Sequence, residues 1–409
     1  MAKAKAKRPK TTEAGVARRQ VLDQVSSGIN ANYSRPAVCR ADELAGTYHI
    51  RRPFGIMPLD LHTGGGLPAG GACAISGEDQ AGKTELLYYL MAMNQRIHGP
   101  NSKIALACTE GGLDLARCRA VGVQVELPPG WVQHENSIRA ACDLPLLTDK
   151  EIGKTVGTLN VFDGDCGEDI LEHALRFLRS NEYQLVLIDS LSTLLPQANL
   201  TKELTEDEKR AAWASMLTRF CNFVSHEFKS KPFADPNFST LVGVQQMRAN
   251  QDKANAPSHI QRYLPGSKPK EARSYQHLAL VHLIISEGEK VYRTIKGVKT
   301  VIGKEMKWFV DKGKAGCHNH VRGDATFYFD GFGEAPGVNG YDSVITTGMQ
   351  YGVLSEEADG MHLLWPKERA RTVATGLHHL EELMREDVEL EMELRYNILW
   401  RNHINVKFK

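Results

Sequence analysis

The eight residues Gly77-Glu78-Asp79-Gln80-Ala81-Gly82-Lys83-Thr84 constrain this chain more than any other stretch. They fit G-x-x-x-x-G-K-[ST], the pattern of a loop that wraps phosphate. An apolar run, Ala72-Cys73-Ala74-Ile75, precedes them, and an apolar helical pattern, Leu86 to Met91, follows. Strand, loop and helix in that order are the context in which the pattern has a mechanism. Glycines let the backbone close around an anion, so that successive N–H groups and the helix N-terminus point at negative charge. The spacing predicts that all eight residues line a nucleotide. Lys83 then reaches the β- and γ-phosphates, and the Thr84 hydroxyl ligates Mg²⁺.

A phosphate loop needs a carboxylate from a neighbouring strand. Gln184-Leu185-Val186-Leu187-Ile188-Asp189-Ser190 supplies the pattern: four apolar residues, as in a buried parallel strand, then Asp189 for the metal. Lys103 to Cys108 reads as another buried strand, ending in Thr109-Glu110-Gly111-Gly112. A carboxylate just past a strand's carboxyl end, beside a phosphate loop, is placed to orient an attacking water. Strands alternating with helices at this spacing argue an α/β fold with an open, mostly parallel sheet and crossover helices.

The 409 residues allow one large core plus appendages, or two to three domains. A net charge of +1 excludes a globally basic nucleic-acid binder, so any DNA contact must come from local patches. The eight cysteines are scattered without a C-x-x-C pair and read as reduced thiols. No apolar run approaches the roughly 18 residues of a membrane span, so a cytoplasmic protein with no membrane partner is expected.

Along the chain, Met1 to Lys10 is a basic tail, and Thr11 to about Asn30 predicts an amphipathic helix. Residues 37–62 look strand-rich. Residues 124–158 are Pro-rich and polar, as in a surface insertion. Leu159 to Phe162 reads as a strand, Gly167 to Ser180 as an amphipathic helix, and Glu208 to Phe228 as another helix. Residues 197–208 are loop-like. Ser239 to Val244 predicts a strand that runs into Gln245-Gln246-Met247-Arg248. The segment 249–274 lacks periodicity and carries Arg248 at its lead-in, then Lys253, Arg262, Tyr263, Lys268, Lys270 and Arg273. Basic side chains with an aromatic suit a loop that orders on a nucleic-acid backbone. Strands are predicted over Leu278 to Ile285, Lys307 to Val310 and Asp324 to Asp330, then a Gly-rich linker over 331–340, and a long helix from about Val373 to Leu399.

Taken in order, these pieces resemble the RecA-type recombinases, in their bacterial and phage branch, from about residue 16 to 355. Leu59-Asp60 with Gly64 to Gly70 resembles S-L-D…G-G-L-P-x-G, and Glu110 to Asp114 through Gly122-Val123 resembles A-E-H-A-L-D…L-G-V. Leu187 to Leu191 resembles V-D-S-V, and Val244 to Arg248 resembles I-N-Q-I-R. Gly303-Lys304-Glu305 and Lys312-Gly313-Lys314-Ala315 resemble G-S-E…K-N-K-I-A.

The resemblance implies a RecA-like ATPase core over 36–338, preceded by the basic tail and a polymerisation helix (1–35) and followed by a small C-terminal α+β domain (339–409). It implies that Glu110 activates the hydrolytic water, and that Gln246 senses the γ-phosphate and couples it to a DNA-binding loop at about 247–276. A first DNA-binding loop falls near 197–208. Lys312 and Lys314 match lysines that reach the neighbouring subunit's ATP. Asp114 and Arg117 fall at the base site, with Arg117 where the bacterial pattern has Tyr. The implied function is an ATP- and Mg²⁺-dependent recombinase. It would form helical homo-oligomeric filaments on single-stranded DNA and pair it with homologous duplex, in a bacterial or phage-infected cytoplasm. A ring-forming helicase or loader on the same core is the alternative. It shares Lys83, Glu110 and Asp189 but does not require Gln-Gln-x-Arg before a long basic loop.

Overall fold

A computed structural model describes residues 13–32, 50–125, 130–141, 145–148, 159–200, 210–230, 239–249, 267–269, 273–329 and 337–408. A nine-stranded sheet forms its centre, in the order β11-β10-β9-β3-β7-β6-β4-β5, with β8 pairing β7. The strands are β3 (Gly71–Gly77), β4 (Ile104–Cys108), β5 (Leu159–Val161), β6 (Leu185–Asp189), β7 (Thr240–Ala249), β8 (Ser267–Pro269), β9 (Val281–Ile295), β10 (Val298–Gly313) and β11 (Arg322–Tyr328). From β9 to β5 every pairing is parallel; β10 and β11 add an antiparallel edge, and β8 is antiparallel to β7. This is the expected α/β architecture.

The central strands β3, β4 and β6 are largely apolar and buried along their length because both faces are covered. Their period of two sorts the side chains: Leu185 and Leu187 join one core cluster, Val186 and Ile188 the other. Helix α3 (Lys83–His98) covers the first face through Leu86, Leu87 and Leu90. Helices α6 (Gly167–Ser180) and α8 (Arg210–Ser230) cover the second, with Ile170, Ala174 and Leu178 packing beside Leu217, Phe220 and Val224.

Beyond the central sheet, β12 (Leu354–Glu357), β13 (Gly360–Leu363) and β14 (Arg371–Ala374) form a small antiparallel sheet. It shares a core with α10 (Gly340–Gln350), α11 (Leu377–Glu386) and α12 (Val388–Arg401). Met57 and Leu61 of α2 (Met57–His62) enter this same core. A third sheet joins β1 (Ile50–Arg52) to β2 (Leu67–Pro68) and to the late strand β15 (Lys407–Phe408).

Several local expectations change. Met57–His62, placed in a strand-rich stretch, is a helix with Pro58 in its first turn, a position that needs no N–H. The expected helix of 373–399 opens in strand, with Val373 and Ala374 closing β14, and the rest is two helices. Asp387 ends α11 and caps α12 by accepting from the N–H groups of Glu389 and Leu390. Within the polar insertion, Trp131–Ala141 is a helix, α5. Within the basic segment, β8 and the opening of α9 (Arg273–Leu278) are regular. Helix α1 (Glu13–Asn30) is present as expected, α4 (Leu115–Ala120) is short, and Gln197–Leu200, expected as loop, forms the one-turn helix α7. The Met1–Lys10 tail lies outside the described residues. Among the described residues no helix is long and apolar enough to cross a membrane, and the cysteines are free.

Candidate nucleotide-binding site

The sheet order sets β3, β7, β6 and β4 side by side, so their carboxyl ends open into one crevice, where ligands bind in open α/β sheets. The phosphate loop leaves the end of β3. A Cβ on Gly77 would lie 2.5 Å from the Ile285 carbonyl, so only glycine lets β3 and β9 close there. Gly82 turns into α3 with φ +97°, the left-handed region that glycine adopts without strain. Lys83 folds back under the loop, its Nζ donating to the carbonyls of Gly77 (3.1 Å) and Glu78 (2.6 Å). Burial pushes its pKa down. The carboxylates of Asp79, Glu110 and Asp189 oppose that shift.

Thr84 donates to Asp189 Oδ2 at 2.6 Å. Asp189 is buried at the end of β6, which raises its pKa; Glu110 adds to the rise, and the Thr84 hydroxyl and Lys83 pull it back. A hydroxyl and a carboxylate that already converge are hard oxygen donors of the kind Mg²⁺ takes. The Asp189–Ser190 peptide is cis.

Glu110 stands past the end of β4 and is exposed. One of its oxygens accepts from the Ser190 hydroxyl and from Gln246 Nε2 at 3.1 Å. Gln246 is tied in turn to the short turn after β6, its backbone N–H donating to Ser192 Oγ at 2.9 Å. Glu110, Gln246 and Asp189 are therefore brought together at neighbouring strand ends by one hydrogen-bonded set. A cavity of about 530 Å³ joins Lys83, Thr84, Glu110 and Gln246 to Lys304, Phe327 and Phe329.

The predicted base-site residues have other partners. Asp114 caps α4 by accepting from the Arg117 N–H at 2.9 Å. The Arg117 guanidinium grips Glu85 with three contacts of 2.6–3.1 Å and lies 5.0 Å from the centre of the Phe327 ring. The aromatic faces that line the cavity are those of Phe327 and Phe329, which no motif pointed to. Lys312 lies away from the chain's own phosphate loop, its Nζ donating to the carbonyls of Gln276 (2.7 Å) and His277 (3.0 Å). Lys314 is exposed.

Of the predicted DNA contacts, Arg248 and Lys268 are register partners in β7 and β8, and Arg273 opens α9, exposed. Lys253, Arg262, Tyr263 and Lys270 lie outside the described residues, as do positions 201–209 of the first predicted loop.

The fold and this crevice define a P-loop nucleotide-binding protein with a mostly parallel sheet. No family model matches the chain. Among curated proteins it is 29% identical over 187 residues to DNA repair protein recA homolog 1, chloroplastic, of Arabidopsis thaliana, covering 46% of this chain and 35% of that one. It is 28% identical over 193 residues to Protein RecA of Desulfovibrio desulfuricans, covering 47% and 44%. Against Protein RecA of Nitratidesulfovibrio vulgaris the identity is 30% over 184 residues, covering 45% and 42%. The matched stretch spans less than half the length of these relatives. The chain is related to the RecA-type family.

Proposed function

We propose that this chain is an ATP-dependent recombination protein that polymerises on single-stranded DNA, pairs it with homologous duplex, and hydrolyses ATP in a DNA-stimulated way. The observation that carries the reading is the shared oxygen of Glu110, bound by Gln246 at the head of the basic segment. A γ-phosphate arriving between Lys83 and Gln246 would compete for that amide. Nucleotide state would thereby be passed to β7 and the segment that follows it. Thr84 and Asp189 would hold Mg²⁺, which when bound offsets phosphate charge. Glu110 would take the proton of the attacking water.

In this reading Lys312 and Lys314 act on the ATP of a neighbouring subunit, so turnover waits for assembly. Arg248, Lys253, Arg262, Tyr263, Lys268, Lys270 and Arg273 would meet the DNA backbone and bases, and binding would weaken steeply with salt. The working parts are the segment 1–35 for assembly, the core of 36–338 and the C-terminal region of 339–409, acting in the cytoplasm. Supporting the assembly role, α1 carries Val21 and Val25 more than half exposed, four residues apart on one face.

The test is electron microscopy of the protein with single-stranded DNA and a slowly hydrolysed ATP analogue. Open helical filaments that require nucleotide are expected. Closed rings would replace the reading with a ring helicase.

A further inference from the structure

Lys304 sits inside the Gly303-Lys304-Glu305 match without a predicted role, yet it lines the cavity above the phosphate loop. It sits on β10 opposite Phe327 of β11, so the two side chains reach the cavity from one face of the antiparallel pair. Gly303 makes that placement tight, since a Cβ there would lie 2.4 Å from the Phe327 carbonyl. The Lys304 ammonium donates to the Gln80 carbonyl at 2.7 Å, at the crown of the loop, and lies 3.6 Å from a Glu287 oxygen. Its side chain is only 17% exposed.

Charge makes the position consequential. Asp79, Glu85 and Glu110 line the cavity, against Lys83 and Lys304. Arg117 matches Glu85, which leaves the loop poor in positive charge for a polyanion. An ammonium has three donors and a flexible stem, so Lys304 can keep the Gln80 carbonyl and still offer N–H groups to phosphate oxygens.

We propose that Lys304 is a phosphate ligand supplied by the same subunit, selecting nucleoside triphosphates over monophosphates before any neighbour docks. The proposal rests on the nucleotide reading of this site. It separates two tasks: Lys304 for binding within one chain, Lys312 and Lys314 for turnover between chains.

The test is equilibrium titration of the full chain, without DNA, with fluorescent nucleoside tri- and monophosphates. Lys304→Gln keeps a donor for the Gln80 carbonyl but removes the charge. It is expected to lose about tenfold in triphosphate affinity with little change for monophosphate, while Lys304→Arg stays within about twofold of wild type. Unchanged triphosphate affinity in Lys304→Gln, or an equal loss for both ligands, overturns the proposal. If Lys83→Ala abolishes binding in the same assay, that failure is confined to Lys304. A wild-type chain that binds no nucleotide overturns both readings.

Discussion

Glu110 holds its place through one oxygen, shared by the Ser190 hydroxyl and the Gln246 amide. That leaves the other oxygen for a water, and an exposed position lets the water arrive. On the proposed function, Glu110→Ala is therefore expected to keep nucleotide and DNA binding while lowering ATP turnover by on the order of 10²–10⁴-fold, measured as phosphate release with saturating single-stranded DNA. Turnover near wild type would remove Glu110 from the chemistry. Lys83 and Thr84 were legible in the sequence through the spacing of the glycine loop, and Asp189 and Glu110 because each stands at or just past the end of an apolar run that announces a strand. The roles of Lys304, Phe327 and Phe329 were not, because they come from β10 and from β11 and its end, whose place in the sheet no local pattern reports. Arg117 was visible, but its bidentate grip on Glu85 depends on how α4 packs against α3.

The elements that carry the site are joined by a second polar chain that also escaped the motifs. Ser76 on β3 lies 2.8 Å from His282 Nε2 on β9, and His282 Nδ1 lies 2.9 Å from Asp311 Oδ2 on β10. Ser76 also donates to Gln245 on β7 at 3.4 Å. Four strands thus share one polar network, buried at Ser76, Gln245 and His282 and reaching the surface at Asp311, with Asp311 beside Lys312 at one end and Gln245 beside Gln246 at the other. Removing the imidazole leaves Ser76 only its 3.4 Å contact to Gln245 and returns the exposed Asp311 to water, and His282→Ala is expected to cost about 1 kcal/mol in urea unfolding. The hydrogen bond from His282 holds the Asp311 carboxyl below the usual range. Its contribution should therefore be present at neutral pH and vanish as pH falls through the folded value. The parallel strands were readable for the reason that both their faces are apolar. The outer hairpin of β9 and β10 was not, since residues 286–300 are mostly exposed and show no alternation. Its turn, Lys296-Gly297, has φ +49° and +82°, the two positive values of the tight turn that suits strand twist.

At the scale of the molecule, two couplings decide whether the parts act together. The first runs between subunits. If Lys312 and Lys314 serve a neighbour's nucleotide, Lys312→Ala with Lys314→Ala should leave nucleotide affinity without DNA unchanged and lower DNA-stimulated hydrolysis by roughly 10²–10³-fold. Unchanged stimulation would make both lysines simple surface charges. The second coupling runs within the chain, between α2 near the phosphate-loop sheet and α12 near its C-terminus. Asp60 of α2 accepts from the Phe54 and Gly55 N–H groups at 2.7 and 3.1 Å and lies 3.7 Å from Arg395, which bonds Glu391 at 2.8 Å. Arg96 of α3 reaches the same Glu391. All but Arg96 are almost fully buried. Burial pushes the Asp60 carboxyl up to about 7, against the pull of Arg395 and the two N–H donors. A folded value above the unfolded one means that the native state binds the proton more tightly. The stability this contributes is full below the unfolded value near 3.8 and is lost as pH rises through about 7. Denaturant unfolding at pH 5, 6.5 and 8 should accordingly give a falling stability in the wild type. The fall should be a few kcal/mol at most, because a tenfold change in proton affinity between the folded and unfolded chain corresponds to about 1.4 kcal/mol. Asp60→Asn, which cannot titrate, should be less stable at pH 5 but nearly level across that range. A slope equal to that of the wild type would place the titrating group elsewhere, and a wild-type stability rising with pH would mean that Arg395 keeps Asp60 ionised throughout.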